Sequence, residues 1–359
     1  MKKTIVHIIG GRPQFIKSLI TIKAINHFKF YNLIINTGQH YDFNMSKIFL
    51  KIYPTNYKII NIKLKNINNS QRLSEMILKI DKKMKSIVPS LVIVYGDTDS
   101  TLAGVLFSIK KKYKTMHIEA GLRSYDLSMP EEQNRIVADR LSNYLISPTI
   151  NSKNNLIREN INKENIFNFG DVMFDNINYI KSKIKKSQIN NFLKSKSLIP
   201  SNYIYFTVHR ESNSNEVFLK KIMEQLGRLE NKIIWPMHPK FTYLLKKLKL
   251  PKNLHIIKPL NFDDNIIAIG NCYFVITDSG GVQKESFFLN KKVLLLRNET
   301  EWKELIKSNC VKICNDKIPQ NFVIKKFINK KLKKNSTKLF GNGKSTLKIA
   351  RLINNIVRK

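Results

Sequence analysis

The sequence predicts an α/β protein with two Rossmann-like, doubly wound domains that face a cleft. Short apolar segments alternate with longer helical patterns, which is typical of buried parallel strands joined by crossover helices. The alternation then restarts in the second half of the chain. A length of 359 residues is enough for two domains that each have a core.

The N-terminal domain is predicted to cover residues 1–170. Its predicted helices are residues 15–27, 72–87 and 101–111, and the boundary falls near Gly170 and Asp171. Its predicted strands are residues 5–9, 33–36, 91–95, 115–118 and 144–147.

The C-terminal domain is predicted to cover residues 171–359. A last helical pattern at residues 347–357 is expected to pack back across the junction between the domains. The predicted strands are residues 203–207, 232–235, 254–256, 273–277 and 293–295.

The bulk composition limits the class of protein. No apolar run approaches the roughly 20 residues that span a bilayer. The apolar segment near Met1 is short, runs into the turn at residues 10–13 and lacks a small-residue cleavage site, so we interpret it as a strand and expect a cytoplasmic protein without membrane insertion. An odd count of three cysteines argues against a disulfide framework.

The net charge of +37 would ordinarily suggest a nucleic-acid partner. Here lysine is scattered along the chain together with abundant Ile and Asn, which indicates a compositional bias rather than one basic face. We therefore expect no nucleic-acid partner. A non-enzymatic protein that binds nucleic acid is the alternative, and only the net charge supports it.

The most informative segment is residues 277–285. An apolar run ends, a Ser279-Gly280-Gly281 turn follows, and a helical pattern begins at Val282. Backbone N–H groups and the positive end of a helix dipole would meet there and form an anion site that suits a diphosphate. Glu285, one turn into the helix, is placed to accept hydrogen bonds from a sugar diol. The alternative is an ordinary turn between a strand and a helix.

Charged and polar residues also follow the other predicted strands, at the edge where doubly wound sheets bind ligands. Asp97 and Glu131 each have a structural alternative as helix-terminus residues, but clustering at one edge favours a site. The first strand is not followed by G-x-G-x-x-G, which weighs against NAD. The candidates at this edge are Arg12, Lys17, Asp97, Glu119, Glu131 and His209.

Seven motifs occur here in the order and spacing of one family. They are residues 11–17 (GRPQFIK), 37–40 (TGQH), 95–98 (YGDT), 117–123 (HIEAGLR), 130–132 (PEE), 209–210 (HR) and 278–285 (DSGGVQKE). The chain resembles the bacterial non-hydrolysing UDP-N-acetylglucosamine 2-epimerases over nearly its whole length. This resemblance implies a GT-B-like pair of domains with the nucleotide in the cleft between them, and a homodimer.

The resemblance also implies a role for each candidate residue. Ser279, Gly280 and Gly281 would hold the diphosphate of UDP and Glu285 its ribose, with His209 near the phosphates and Arg12 and Lys17 closing from the first domain. Asp97, Glu119 and Glu131 would face the sugar as acid/base groups, and His209 joins them in the predicted catalytic set.

The family reaction is elimination and re-addition. A base removes the C2 proton as UDP leaves C1, which gives a glycal. UDP then adds back while a proton arrives at C2 from the opposite face. Inversion therefore needs proton-transfer groups on both faces, and no metal or redox cofactor is required.

Two departures from the plain N-acetylglucosamine branch concern the substrate. That branch usually has Arg where this chain has Trp302, and its loop between Glu119 and Glu131 is usually longer. Both departures favour the branch that acts on UDP-2,3-diacetamido-2,3-dideoxy-glucuronate in O-antigen synthesis. A GT-B glycosyltransferase and a hydrolysing UDP-sugar 2-epimerase are the alternatives.

A further departure concerns regulation. In the family, the substrate can also act as an activator at a second site that includes the Thr-Gly-Gln-His segment, where an Arg commonly follows. This chain has Tyr41 and Asp42 after His40. Loss of the cation and gain of an acid predict little or no activation by UDP-N-acetylglucosamine.

Overall fold

The computed structural model describes residues 3–38, 57–65, 68–333 and 338–358. The segment from Gln39 to Asp42, on which the activation prediction depends, lies outside these residues. The chain forms two compact units, one of Met1–Asn176 with Thr337–Lys359 and one of Ile177–Ser336. The unit boundary thus follows Asn176, six residues after the expected end at 170, and the last helix belongs to the first unit.

Unit 1 has a seven-stranded parallel sheet in the order β3-β2-β1-β4-β5-β6-β7. The strands are β1 (Thr4–Ile9), β2 (Tyr31–Asn36), β3 (Tyr57–Asn61), β4 (Leu91–Tyr95), β5 (Thr115–Ile118), β6 (Tyr144–Ser147) and β7 (Ile166–Asn168). Its helices are α1 (Arg12–Ile25), α2 (Asn69–Met84), α3 (Asp99–Lys110), α4 (Pro130–Leu141) and α5 (Ile150–Arg158), and α6 (Val172–Lys183) crosses the unit boundary.

The central strands of unit 1 are apolar because helices cover both faces of a parallel sheet. Every residue of β4 is buried, and Ile8 of β1 packs in one cluster with Val94 of β4 and Ala103 and Val105 of α3. At about 25 cal/mol per Å² of buried apolar surface, the Ile and Val side chains of this cluster each stabilise the fold by roughly 1.5–3 kcal/mol.

The last helix, α14 (Ser345–Arg358), packs against α1. Its apolar stripe, which includes Ile349 and Ile353, is buried. Asp175 Oδ2 accepts hydrogen bonds of 2.7 Å from both the backbone N–H and the hydroxyl of Thr346 at the start of this helix. These contacts explain why the C-terminal segment belongs to unit 1.

Unit 2 repeats the architecture with a six-stranded parallel sheet in the order β10-β9-β8-β11-β12-β13. The strands are β8 (Tyr203–Thr207), β9 (Lys232–Pro236), β10 (Leu254–Ile257), β11 (Val275–Thr277), β12 (Val293–Leu295) and β13 (Val311–Ile313). The helices are α7 (Lys186–Ser195), α8 (Glu216–Leu226), α9 (Thr242–Leu245), α10 (Phe262–Asn271), α11 (Gly280–Phe288), α12 (Lys303–Lys307) and α13 (Asn321–Asn329).

The predicted fold class, two Rossmann-like doubly wound domains, is confirmed: both sheets follow the Rossmann strand order. The expected strands are all present, and three strands, β3, β7 and β13, were not expected. Within the described residues, no helix is both long enough and apolar enough to cross a bilayer.

Candidate active site

Each sheet changes winding direction at one pair of adjacent strands, and ligands of doubly wound folds bind at that point. In unit 1 the pair is β1 and β4, and in unit 2 it is β8 and β11. Arg12 and Asp97 follow the first pair, and His209 and Ser279 follow the second. The predicted residues therefore lie in two groups, one at the carboxyl edge of each sheet.

In unit 1, Lys17 and Glu119 form an ion pair at this edge. Their side chains are about nine-tenths buried, with relative exposures of 9% and 10%. Glu119 has a φ of +78°, in the left-handed region that disfavours a residue with a side chain. Strained backbone of this kind costs about 1–3 kcal/mol and is concentrated at functional sites. The strain supports a functional role for Glu119.

Gly96 allows this pair to lie beside the end of β4. Its φ is +64°, and a Cβ atom there would lie 3.3 Å from Glu119 Oε2 and 3.7 Å from Lys17 Nζ. A small cavity adjoins the pair, and Asp171 is one of its lining residues. The rest of its wall is Ile118, Pro148, Gly170 and Val172.

Asp97 is fixed by α4. Arg135 Nη2 pairs with Asp97 Oδ2, while Arg135 Nη1 donates to Glu132 Oε2 at 2.8 Å. Asn134 Nδ2 donates to the backbone oxygen of Asp97 at 3.0 Å. The Asp97 side chain keeps 28% exposure, so its carboxylate is held in place and remains reachable by a ligand.

Of the two acidic residues in the first turn of α4, Glu131 is exposed and Glu132 is buried. Glu132 accepts hydrogen bonds of 2.9 Å from the backbone N–H groups of Ser124 and Tyr125. Burial raises the pKa of Glu132, but these bonds and Arg135 outweigh burial and lower that pKa. Glu132 therefore supports the loop, and Glu131 is the side chain of the two that is free to meet solvent or ligand.

The turn that carries Arg12 is locked by Gln14. Gln14 Oε1 accepts from the N–H groups of Gly10 at 2.7 Å and Gly11 at 3.1 Å, and Gln14 Nε2 donates to the backbone oxygen of Tyr95 at 2.5 Å. This amide ties the end of β1 to the end of β4. It fixes Arg12, the first residue of α1, relative to the loop of Asp97.

In unit 2, the loop after β8 is clamped by Asp278, which is fully buried. Asp278 Oδ1 accepts from the N–H of His209 at 2.8 Å, and Oδ2 accepts from the N–H of Arg210 at 3.0 Å. His209 Nε2 lies 2.7 Å from Thr207 Oγ1. Asp278 thereby joins the His209 loop to the turn after β11.

That turn begins helix α11, with Ser279 as its N-cap. Ser279 Oγ accepts from the N–H of Val282 at 3.3 Å. The helix begins at Gly280, two residues before the expected start at 282. A Cβ at Gly281 would meet no atom closer than Ser279 Oγ at 3.9 Å, with Glu285 Oε1 at 4.0 Å. The open surface around Gly281 thus lies between the cap hydroxyl of Ser279 and the carboxylate of Glu285.

Comparison with known proteins identifies the family of this chain. A family model described as UDP-N-acetylglucosamine 2-epimerase matches residues 23–354. The chain belongs to the UDP-N-acetylglucosamine 2-epimerase family. A UDP-N-acetylglucosamine 2-epimerase homolog of Methanococcus maripaludis is 39% identical, covering 98% of this chain and 99% of the relative. A UDP-2,3-diacetamido-2,3-dideoxy-D-glucuronate 2-epimerase of Pseudomonas aeruginosa is 36% identical, covering 84% and 85%.

A solved structure gives the same result for the fold. The UDP-GlcNAc 2-epimerase of Methanocaldococcus jannaschii, determined in complex with UDP-GlcNAc and UDP, superposes with a TM-score of 0.87. It is 33% identical and covers 98% of this chain and 99% of its own. The family resemblance and the enzymatic character expected from the sequence are confirmed, while the roles of individual residues stay predictions.

The sequence alone did not single out several residues that the structure places near the carboxyl edges of the two sheets. Gln14 and Asp278 lie inside recognised motifs and Arg135 lies three residues after one, but each also has a hydrogen-bond partner far along the chain. Arg297 could have been found, because it lies two residues after the end of β12 and the residues after every strand are candidates. Among the described residues, no group of three or more His, Cys, Asp and Glu side chains is placed to hold a metal ion.

Proposed function

We propose that this family member is a non-hydrolysing 2-epimerase of a UDP-N-acetylhexosamine, of the UDP-N-acetylglucosamine to UDP-N-acetylmannosamine type. The observation that carries the proposal is the pair of carboxylates that follow the adjacent strands β4 and β5. Asp97 is held by Arg135, and Glu119 is held by Lys17. Two fixed carboxylates at one ligand-binding edge suit a reaction that moves protons at carbon.

The nucleotide would be bound by unit 2. The N–H groups at the start of α11 and the helix dipole favour a diphosphate, with Glu285 available for the ribose hydroxyls. His209 would lie near the phosphates, because Asp278 fixes its backbone beside the same turn. Arg12 and Lys17 of unit 1 would supply further positive charge to the leaving UDP.

The proposed reaction begins with removal of the C2 proton by one carboxylate while the bond between C1 and the UDP oxygen breaks. The products of this half are a glycal and UDP. In the second half, UDP oxygen re-forms the bond to C1 and a proton is delivered to C2 on the other face. Asp97, Glu119 and Glu131 are the candidates for these two proton transfers, each worth about 10²–10⁴-fold in rate.

A second substrate is favoured by the surroundings of Trp302. This side chain is buried, and Lys284 Nζ lies 4.1 Å from the centre of its ring. A Trp that stacks on a Lys replaces the Arg usual in the plain branch. UDP-2,3-diacetamido-2,3-dideoxy-glucuronate is therefore the second candidate, with the same reaction at C2.

We also propose a homodimer, which light scattering of the purified protein would test.

NMR of the purified enzyme in D₂O tests the function directly. UDP-N-acetylglucosamine and its 2,3-diacetamido glucuronate counterpart are incubated separately and without an acceptor. We expect the manno product of one or both, with solvent deuterium at C2. Free sugar and UDP as sole products would indicate the hydrolysing reaction. No change without an acceptor would favour a glycosyltransferase, and a product without deuterium at C2 would exclude the elimination route.

A further inference from the structure

Arg297 places an incompletely bonded cation beside the N-terminus of α11. The residue follows β12, and its side chain is only 2% exposed. Among the described residues, none offers an aligned hydrogen-bond acceptor to its Nε, Nη1 or Nη2 atoms. A buried guanidinium is stable when anions complete its hydrogen bonds. Its surroundings therefore indicate an anion that binds here.

Glu301 lies against the same helix terminus. Its Oε2 is 2.9 Å from Arg297 Nη2, in an ion pair that lacks hydrogen-bond alignment, and its side chain is 9% exposed. A Cβ at Gly280 would lie 2.4 Å from Glu301 Oε1 and 3.7 Å from Arg297 Nη1. The carboxylate thus touches the first residue of α11, where the free N–H groups and the positive dipole end attract an anion.

We propose that Glu301 is a built-in anion that occupies the phosphate position of α11 until a diphosphate displaces it. Arg297 is the cation that pairs first with Glu301 and then with the phosphate. This inference rests on the proposed function for the identity of the ligand as a nucleoside diphosphate. No covalent step is involved: one anion leaves the cation and another takes its place.

The geometry distinguishes this exchange from a purely structural ion pair. A permanent pair would be expected to align with the guanidinium, since the Arg fork matches a carboxylate in two parallel hydrogen bonds. Here one Glu301 oxygen is near Arg297 and the other is against Gly280. A diphosphate has enough oxygens to bond Nε, Nη1 and the helix N–H groups together. Glu301 in turn has a flexible side chain that can swing away.

The exchange makes Glu301 a competitor of the ligand. Removing the charge of Glu301 should strengthen diphosphate binding. Replacing the Arg297 guanidinium with the ammonium group of Lys should weaken diphosphate binding. Isothermal titration calorimetry with inorganic pyrophosphate and with UDP measures both. For Glu301→Gln we expect about 3- to 10-fold tighter binding of each ligand, and for Arg297→Lys about 10-fold weaker binding.

Glu299→Gln is the matched control, because it removes the same charge from the same loop two residues away. We expect the affinity of this variant to stay within about twofold of the parent, since solvent ions screen a partly exposed charge. Unchanged or weaker pyrophosphate binding by Glu301→Gln overturns the exchange, and so does equal tightening by Glu299→Gln. If Arg297→Lys does not fold, the pyrophosphate affinity of Glu301→Gln alone tests the exchange.

The readout separates this inference from the proposed reaction. Pyrophosphate binding needs no sugar and no turnover. Tighter binding by Glu301→Gln in a protein that epimerises neither sugar supports the exchange and contradicts the function. Normal epimerisation with unchanged pyrophosphate affinity in Glu301→Gln supports the proposed function and contradicts the exchange.

Discussion

His117 Nδ1 lies 2.7 Å from Asp139 Oδ1, and both side chains are fully buried. The other ring nitrogen of His117 lies 2.7 Å from the backbone oxygen of Gly96, which only accepts. Burial raises the pKa of Asp139, but His117 and Arg123 outweigh burial and lower it, so the carboxylate is ionised. The His117 ring thus bridges the Asp139 carboxylate and the backbone oxygen of Gly96, directly before Asp97.

Asp139→Asn should destabilise unit 1. Asp139 Oδ2 also accepts from the N–H of Gly121 at 3.0 Å and from Arg123 Nη1 at 2.7 Å, so the amide removes a buried negative charge that His117, Gly121 and Arg123 share. We expect the free energy of unfolding to fall by about 3–5 kcal/mol. Chemical denaturation followed by circular dichroism measures the change.

Asp81→Asn is the control for this prediction. Asp81 pairs with Lys111 at 2.7 Å, but both side chains are nearly half exposed. An exposed pair contributes about 0–1 kcal/mol. Equal losses of stability in the two variants would contradict the role given to the buried carboxylate.

The proposed acid/base residues predict a separation of turnover from binding. Asp97→Asn, Glu119→Gln and Glu131→Gln should each lower kcat by about 10²-fold or more, because an amide keeps the shape but takes no proton. The affinity for UDP should change by no more than several-fold. Steady-state kinetics and calorimetry measure the two quantities.

Glu164→Gln, an exposed carboxylate of unit 1, serves as the control and should keep the parental kcat. Near-normal turnover in all three variants would mean that the proton-transfer groups lie elsewhere. A large loss of kcat in only one variant would identify a single essential group. The second proton-transfer residue that inversion at C2 requires would then be missing from this set.

Ser279→Ala should weaken UDP binding and also remove the N-cap of α11. The lost cap costs about 1 kcal/mol of stability, so stability alone does not reveal the binding role. Asn215→Ala makes a matched comparison, since Asn215 caps α8 through a 2.9 Å bond from the N–H of Phe218. We expect both variants to lose similar stability, and Ser279→Ala alone to lose UDP affinity. Equal UDP affinity in the two would argue against a phosphate site at this turn.

Much of the fold is predictable from the sequence because the central strands are buried on both faces. Apolar runs such as Leu91–Tyr95 are therefore recognisable without any partner. The three strands that were missed, β3, β7 and β13, lie at the ends of the sheets, where burial is incomplete. In Tyr57–Asn61 all five residues keep some exposure, and Val311–Ile313 has only three residues. Neither gives a clear apolar pattern.

The candidate site is predictable in a different sense. Its residues follow strands, so local sequence gives Asp97, Glu119 and Ser279. Their fixing partners come from distant positions: Asp97 is held from α4, and His209 is held by Asp278, 69 positions along the chain. Pairings of this kind depend on the packed fold. The apposition of Glu301 and Gly280 depends in the same way on the loop after β12.

His7 predicts a pH dependence of stability in unit 1. It is fully buried in β1, its Nδ1 lies 2.7 Å from the hydroxyl of Tyr95, and burial lowers its pKa to about 4. The unfolded chain takes up this proton near pH 6.5, so the folded state loses stability as the pH falls from about 6.5 to about 4. The loss over this window is roughly 3 kcal/mol.

A non-titrating side chain at this position should remove that part of the pH dependence. Between pH 7 and pH 4.5, protection of the β1 amides against hydrogen exchange should fall by about 100-fold more in the parent than in His7→Gln. His27→Gln, which alters an exposed histidine, should behave like the parent. The same pH slope in His7→Gln and the parent would show that another buried group controls acid unfolding of this unit.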